Sequence, residues 1–153
     1  IIKVAAKYYD YVFVDLQKGL DKPFIKDVLE ISDVIVVNIT QRREYMESYM
    51  KLKNSNEIFK SNKVLPLIGR YDRYSKYTKK NVAKFIGEKG ELSAVSYNTL
   101  FFESANEGMV SNYFLKFRAS LIDSTDRNAV FISEVASTTE DIVNRVKAVQ
   151  MGF

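Results

Sequence analysis

The chain has 153 residues, 46% hydrophobic and 27% charged, enough for one domain with a real core and too apolar for a disordered segment. It contains no cysteine and no histidine, which excludes disulfides, thiolate chemistry, the usual zinc sites and every Ser-His or Cys-His arrangement. The 23 Lys and Arg against 19 Asp and Glu leave a net charge of +4, which permits an anionic partner without demanding one.

Any chemistry must therefore use carboxylates, Lys, Arg, hydroxyls, backbone amides or a hard metal such as Mg²⁺. The chain opens on Ile1-Ile2 without Met, which reads as a processed chain or an excised piece. The first β-rich run, Tyr11-Val12-Phe13-Val14, ends on Asp15, with Gly19 four residues later. A carboxylate at a strand end can hold Mg²⁺ or polarise water, and Gly19 would let the loop backbone approach a phosphate. The plainer reading has Asp15 capping the next segment or pairing with Lys18. The stretch "KPFIKDVLEIS" then predicts a helix with Pro23 in its first turn and Phe24, Ile25, Val28, Leu29 and Ile31 near one face.

Val34–Ile39 is the second β-rich run, and its Val34-Ile35-Val36-Val37 is apolar at consecutive positions, as in a strand buried on both faces of a parallel sheet. "QRREYMESYMKLKNSNEIF" follows as a helix, then a strand at Val64–Ile68. "TKKNVAKFIGEKG" is a helix stopped by Gly87 and Gly90, and Ala94–Tyr97 is a fourth strand. "SANEGMVSNYFLKFRASLI" is a further helix candidate, started near Ser111. "TDRN" reads as a turn into a strand or helix at Ala129–Ile132, and the last helix is expected to begin after Ser137 or Thr138. Strands alternating with helices predict an α/β fold with a mostly parallel sheet flanked by helices.

In such sheets ligands bind beyond the C-terminal strand ends. Asp15–Gly19, Asn38–Gln41, Gly69–Tyr74 and Ser96–Thr99 should face that site. Within "RYDRYSKYTKK", Tyr71, Tyr74 and Tyr77 recur every three residues among Arg70, Arg73, Lys76, Lys79 and Lys80. Interleaved rings and cations suit a single-stranded nucleic acid. A strand-to-helix loop whose tyrosines pack on their own domain is the preferred reading. The glycines form neither G-x-x-x-x-G-K-[ST] nor G-x-G-x-x-G. The stripe Ile142, Val146, Val149 and Phe153 reads as a sheet-packing face, with peripheral membrane docking beside Arg145 and Lys147 as the alternative.

Taken in order, four segments resemble the MinD/ParA group of deviant Walker ATPases. "YDYVFVDLQKGLD" is similar to the group's Walker B segment, and "ISDVIVVNITQ" to the strand that follows it. "VLPLIGRYDRYS" resembles the strand that ends in an N-R base loop, and "AVSYNTLFFESANEGMV" the segment (apolar)-P-Y-(D/N)…A-x-x-x-G. Order and spacing agree over about residues 1–115. Within the group the chain resembles most the pilus-associated TadZ/CpaE branch.

The resemblance implies a partial P-loop NTPase fold, with residues 1–153 a single domain or the C-terminal part of a larger one. It implies ATP-driven homodimerisation, slow hydrolysis, and positioning of DNA, a division inhibitor or a secretion machine. The localisation it implies is cytoplasmic, with recruitment to a cell pole or membrane. Asp15 would be the catalytic and Mg²⁺-side residue. Gly69 with Arg70, and Ser96 with Tyr97, would line two base-side loops. ATP and Mg²⁺ would belong to a full-length parent, with none expected on this chain alone.

Departures from the group's pattern are Gly69 for its base-reading Asn, Gln17-Lys18 after Asp15, Ser96 for Pro, and the lack of a phosphate loop in these residues. The departures at Gly69, Lys18 and Ser96 favour one rival, a degenerate, non-catalytic scaffold for localisation or dimerisation. A second is a nucleic-acid-binding module using Arg70–Lys80. A receiver-like signalling domain lacks its clustered acids and its later Lys.

Overall fold

The computed structural model describes residues 1–16, 22–118 and 125–151. The chain divides into two compact units, Ile1–Ser32 and Asp33–Phe153.

The first unit holds α1 (Ile2–Ala5), one turn that no sequence pattern marks, and α2 (Pro23–Ile31). Pro23 sits in the first turn of α2, where a missing N–H breaks no helical bond. Ile25 and Leu29, one turn apart, are buried, whereas Phe24 and Ile31, expected near the same face, are exposed. The Ser32 hydroxyl donates to the Val28 carbonyl at 2.6 Å and closes the helix end. The expected strand Tyr11–Asp15 is not formed: residues 11–16 have no regular structure. The reason is pairing. An extended run needs a ladder for its N–H and C=O groups, and among the described residues no strand pairs with it.

The second unit contains, in chain order, β1 (Ile35–Ile39), α3 (Arg43–Ser55), a 3-10 turn (Glu57–Lys60), β2 (Val64–Tyr71), α4 (Lys79–Phe85) and β3 (Ser93–Ser96). Then come α5 (Thr99–Asn106), α6 (Val110–Arg118) and α7 (Arg127–Gln150). The sheet is parallel, in the order β1-β2-β3. Its three strands fall where the sequence places them, with β2 running three residues further than Ile68.

β2 is central, yet it contains Pro66. The register explains the tolerance. Ile35 donates its amide to the Lys63 carbonyl, so odd-numbered residues of β2 bond β1 and even-numbered ones face β3. β3 begins at Ser93, opposite Leu67, so the missing Pro66 N–H falls before the β3 ladder starts.

Helix starts follow local capping. The Asn98 carboxamide accepts from the Phe101 amide at 2.8 Å, and the Thr78 hydroxyl from the Asn81 amide at 3.2 Å. The Asp126 carboxylate accepts from Asn128 and Ala129 at 2.8 and 3.0 Å. That cap corrects the expected start after Ser137 or Thr138. α7 begins eleven residues or so earlier and runs through Ala129–Ile132, leaving Thr138 buried in mid-helix. The helix expected to start near Ser111 is α6, set apart from α5 by Gly108, which takes φ +71; residues 119–122 of that candidate lie outside the described residues.

One face of the sheet is closed by α5, α6 and α7. Tyr113, Phe131 and Ile132 pack with Val95, Phe101, Phe114 and Phe117. Phe101 meets the Tyr113 ring edge-on at 5.6 Å. Ala94, buried next to Val95 in the strand, points to the opposite face. Arg145 donates to the Asn62 and Val64 carbonyls at 2.8 and 3.2 Å, fixing the later part of α7 at the start of β2. No helix among the described residues is long and apolar enough to cross a membrane.

Two buried tyrosines have raised pKa values. Burial, then the Glu88 carboxylate 3.4 Å from its hydroxyl, pushes Tyr49 up to about 12. Burial, then Asp126, pushes Tyr113 up to about 12. The unfolded chain loses these protons near pH 10 while the folded chain keeps them. The stabilisation is therefore complete below about pH 10 and is lost as pH rises towards 12. Urea midpoints should fall across that window, and Tyr49→Phe should flatten part of the fall.

Candidate functional site at the C-terminal ends of the strands

The parallel register brings three chain segments together beyond β1, β2 and β3: Asn38–Gln41, Gly69–Tyr77 and Ser96–Asn98. At their junction the Asn38 carboxamide lies directly over Gly69. A Cβ built on Gly69 would overlap the Asn38 amide oxygen, and its Cγ and Nδ2 would be 3.1 Å away. Glycine at 69 is thus what lets an amide from β1 sit over β2.

The next residue, Arg70, takes φ +52, in the left-handed region that non-glycine residues avoid. It is the extra residue of a bulge: Gly69 pairs with Val95 and Tyr71 with Ser96, leaving Arg70 unmatched. The bulge sends the exposed Arg70 side chain sideways, and its guanidinium carbon stands 5.9 Å from the centre of the Tyr97 ring. Gly69, Arg70 and Tyr97, all singled out in the sequence, are therefore neighbours. Ser96 is beside them with its groups engaged. Its amide donates to the Glu134 carboxylate at 2.8 Å and its hydroxyl at 3.1 Å.

Gln41 holds the following loop. Its Nε2 donates to the Asp72 and Tyr77 carbonyls at 3.0 and 2.6 Å, and its Oε1 accepts from the Asp72 amide at 2.7 Å. Inside the loop the Asp72 carboxylate accepts from the Tyr74 amide at 2.9 Å and the Ser75 hydroxyl from the Tyr77 amide at 3.2 Å. Of the tyrosines read as a stacking platform, Tyr71 has Lys79 over its ring at 5.7 Å and Tyr77 has Lys76 at 5.5 Å. Tyr74, 90% exposed, is the open one.

Asp15 is exposed and belongs to the first unit, in its irregular segment. Gln17, Lys18 and Gly19 lie outside the described residues. Among the described residues no three carboxylates gather to hold a metal, and the sequence has no lysine-bearing phosphate loop.

Glu134 and the Asn98–Asn128 pair, at 2.9 Å, were not marked by the sequence. Each joins residues about thirty or more apart, and no local pattern signals such a contact.

Among the described residues, a three-stranded parallel sheet flanked by helices, with its rim at the C-terminal strand ends, is an α/β architecture. Among solved structures, the ParA family ATPase from Chlorobium tepidum TLS superposes with a TM-score of 0.61 at 18% identity, over 97% of this chain and 53% of that chain. The fold is therefore ParA-like, and the chain spans about half the length of that structure. No family model and no curated protein matches the chain.

Gln41→Ala should free the loop without unfolding the sheet. Hydrogen exchange of amides 72–77 is expected to speed up about tenfold or more while β2 amides stay unchanged. Gly69→Ala should displace the exposed Asn38 carboxamide, visible as a shift of its side-chain NH₂ resonances, at a stability cost under about 1 kcal/mol.

Proposed function

We propose that these residues carry the base-side rim of a ParA-like positioning ATPase of the MinD/ParA group, nearest its TadZ/CpaE branch. The observation that carries this reading is the bulge at Arg70. A backbone held left-handed at the C-terminal end of a central parallel strand, with its guanidinium over Tyr97, is strain placed where such sheets meet ligands. Asn38 over Gly69 supplies the side-chain amide that a glycine at 69 cannot. Asp15 is assigned to the Mg²⁺ side of the nucleotide. Phosphates and Mg²⁺ must be positioned together for phosphoryl transfer, and these residues contain no loop to do so.

This chain alone is therefore inactive as an ATPase. Incubated with ATP and Mg²⁺, it should release no phosphate above a protein-free blank. Turnover that disappears in Asp15→Ala would overturn that assignment.

A second reading, a non-catalytic scaffold, is favoured by one observation: the polar groups of the rim bond one another. Ser96 is held by Glu134 and Gln41 by its own loop, which leaves fewer donors for a ligand. The two readings separate in a longer chain that carries a phosphate loop. If its ATP affinity is unchanged by Arg70→Ala and Tyr97→Ala, the rim is scaffold.

A further inference from the structure

Among the described residues, Arg70 is the one non-glycine residue with a positive φ. Such a backbone persists only where its surroundings impose it. The cation–π contact with Tyr97, between two exposed side chains, is too weak to do so. The register imposes it. β3 pairs evenly with β2 from Ser93 to Val95, then Ser96 stands opposite Tyr71 and Arg70 is passed over. The cause lies on α7. The Glu134 carboxylate accepts from both the amide and the hydroxyl of Ser96, a charge-assisted grip at the end of β3. Two turns further on, the Asp141 carboxylate accepts from the Ser93 hydroxyl at the start of β3. Seven helical residues rise about 10.5 Å and three strand residues about 10 Å, so helix and strand match in length between the two grips. Arg145, one turn beyond Asp141, holds the Asn62 and Val64 carbonyls at the start of β2. Spacings of seven and four put all three side chains on one face of α7.

We propose that α7 sets the register of β3 against β2, and that Glu134 is the positioning residue that holds Arg70 left-handed at the rim. Arg145 fixes the helix to β2, and Glu134 and Asp141 fix β3 to the helix. The offset between the two strands is thus decided outside their ladder. With Ser96 held opposite Tyr71, β2 has one residue too many and Arg70 is expelled as the bulge. Without the grip, Ser96 can pair with Arg70 in even register, and a non-glycine residue is stabilised by leaving the left-handed region. A contact at the far end of the sheet, Arg145 on the Val64 carbonyl, therefore governs where a guanidinium stands at the near end. The inference concerns the strand end alone and holds whether or not the rim takes a nucleotide.

NMR and urea unfolding of the full chain without nucleotide test this. In the wild type the Arg70 backbone shifts and coupling should report a positive φ, and its side-chain protons should be shifted upfield by the Tyr97 ring. Glu134→Ala should abolish both signatures and Arg145→Ala should weaken them. Glu134→Gln, which keeps an acceptor for the Ser96 amide, should largely retain them. Glycine gives a second readout. Arg70→Gly should raise the folding constant about threefold in the wild type, where φ is positive. In Glu134→Ala, where residue 70 has joined the strand, the same change should lower it about threefold. Val82→Ala, a core truncation on α4 that makes none of these contacts, should lower the urea midpoint with both readouts as in the wild type. Arg70 that stays left-handed in Glu134→Ala overturns the proposal. So does an unchanged Arg70 in Arg145→Ala, a glycine effect of one sign in both backgrounds, or loss of the signatures in Val82→Ala. If Glu134→Ala does not fold, Glu134→Asp, a methylene too short to reach both groups of Ser96, carries the same test. Because every arm runs without nucleotide, its failure leaves the ATPase reading untouched.

Discussion

The pairing of β2 on both sides is the constraint from which the second unit follows. A central strand must give its N–H and C=O groups to two neighbours, and its side chains must be covered above and below. Val64, Leu65 and Ile68 are buried accordingly. The two ladders differ in extent. The β1 ladder covers Val64–Ile68, while the β3 ladder starts three residues later and slips at Arg70. The late start is what admits Pro66, and the slip is what sets Arg70 left-handed and turns it towards Tyr97. One strand thereby determines both the regularity of the sheet and the irregularity of its rim.

Around that strand, long-range polar contacts replace apolar packing at the ends of the sheet. Glu134 on α7 secures the end of β3, Gln41 secures the loop after β2, and Arg145 secures the start of β2. Each satisfies backbone groups that the ladder leaves unpaired where strands stop, which would be costly if buried without a partner. α7 supplies two of these three contacts. Its length matters for that reason: a helix starting near Thr138 would not carry Glu134 to Ser96.

The elements were mostly legible because their signals are local. Val34–Val37 is an unbroken apolar run, Pro23 marks a first turn, and Gly87 and Gly90 mark a stop with φ +71 and +84. Tyr11–Asp15 has the composition of a strand, but a strand is defined by its neighbour, and composition does not state whether a neighbour is there. For α7, Ser137 and Thr138 look like caps, while the carboxylate that caps the helix, Asp126, sits in a turn-like "TDRN". The site was legible in outline, as loops at strand ends. The bond between Ser96 and Glu134 was not, because 38 residues separate the partners.

By itself, the sequence determined the α/β class, the order of its parallel strands and helices, and the absence of histidine, cysteine and a phosphate loop, since these depend on composition and on patterns a few residues long. Only the tertiary structure decided that Asn38 lies over Gly69, that Arg70 is a bulge residue facing Tyr97, that Gln41 clamps the loop, and that β1 rather than Tyr11–Asp15 ends the described sheet. Those outcomes depend on strand register, and register is set by the simultaneous pairing and covering of both sheet faces, which no single stretch of chain encodes.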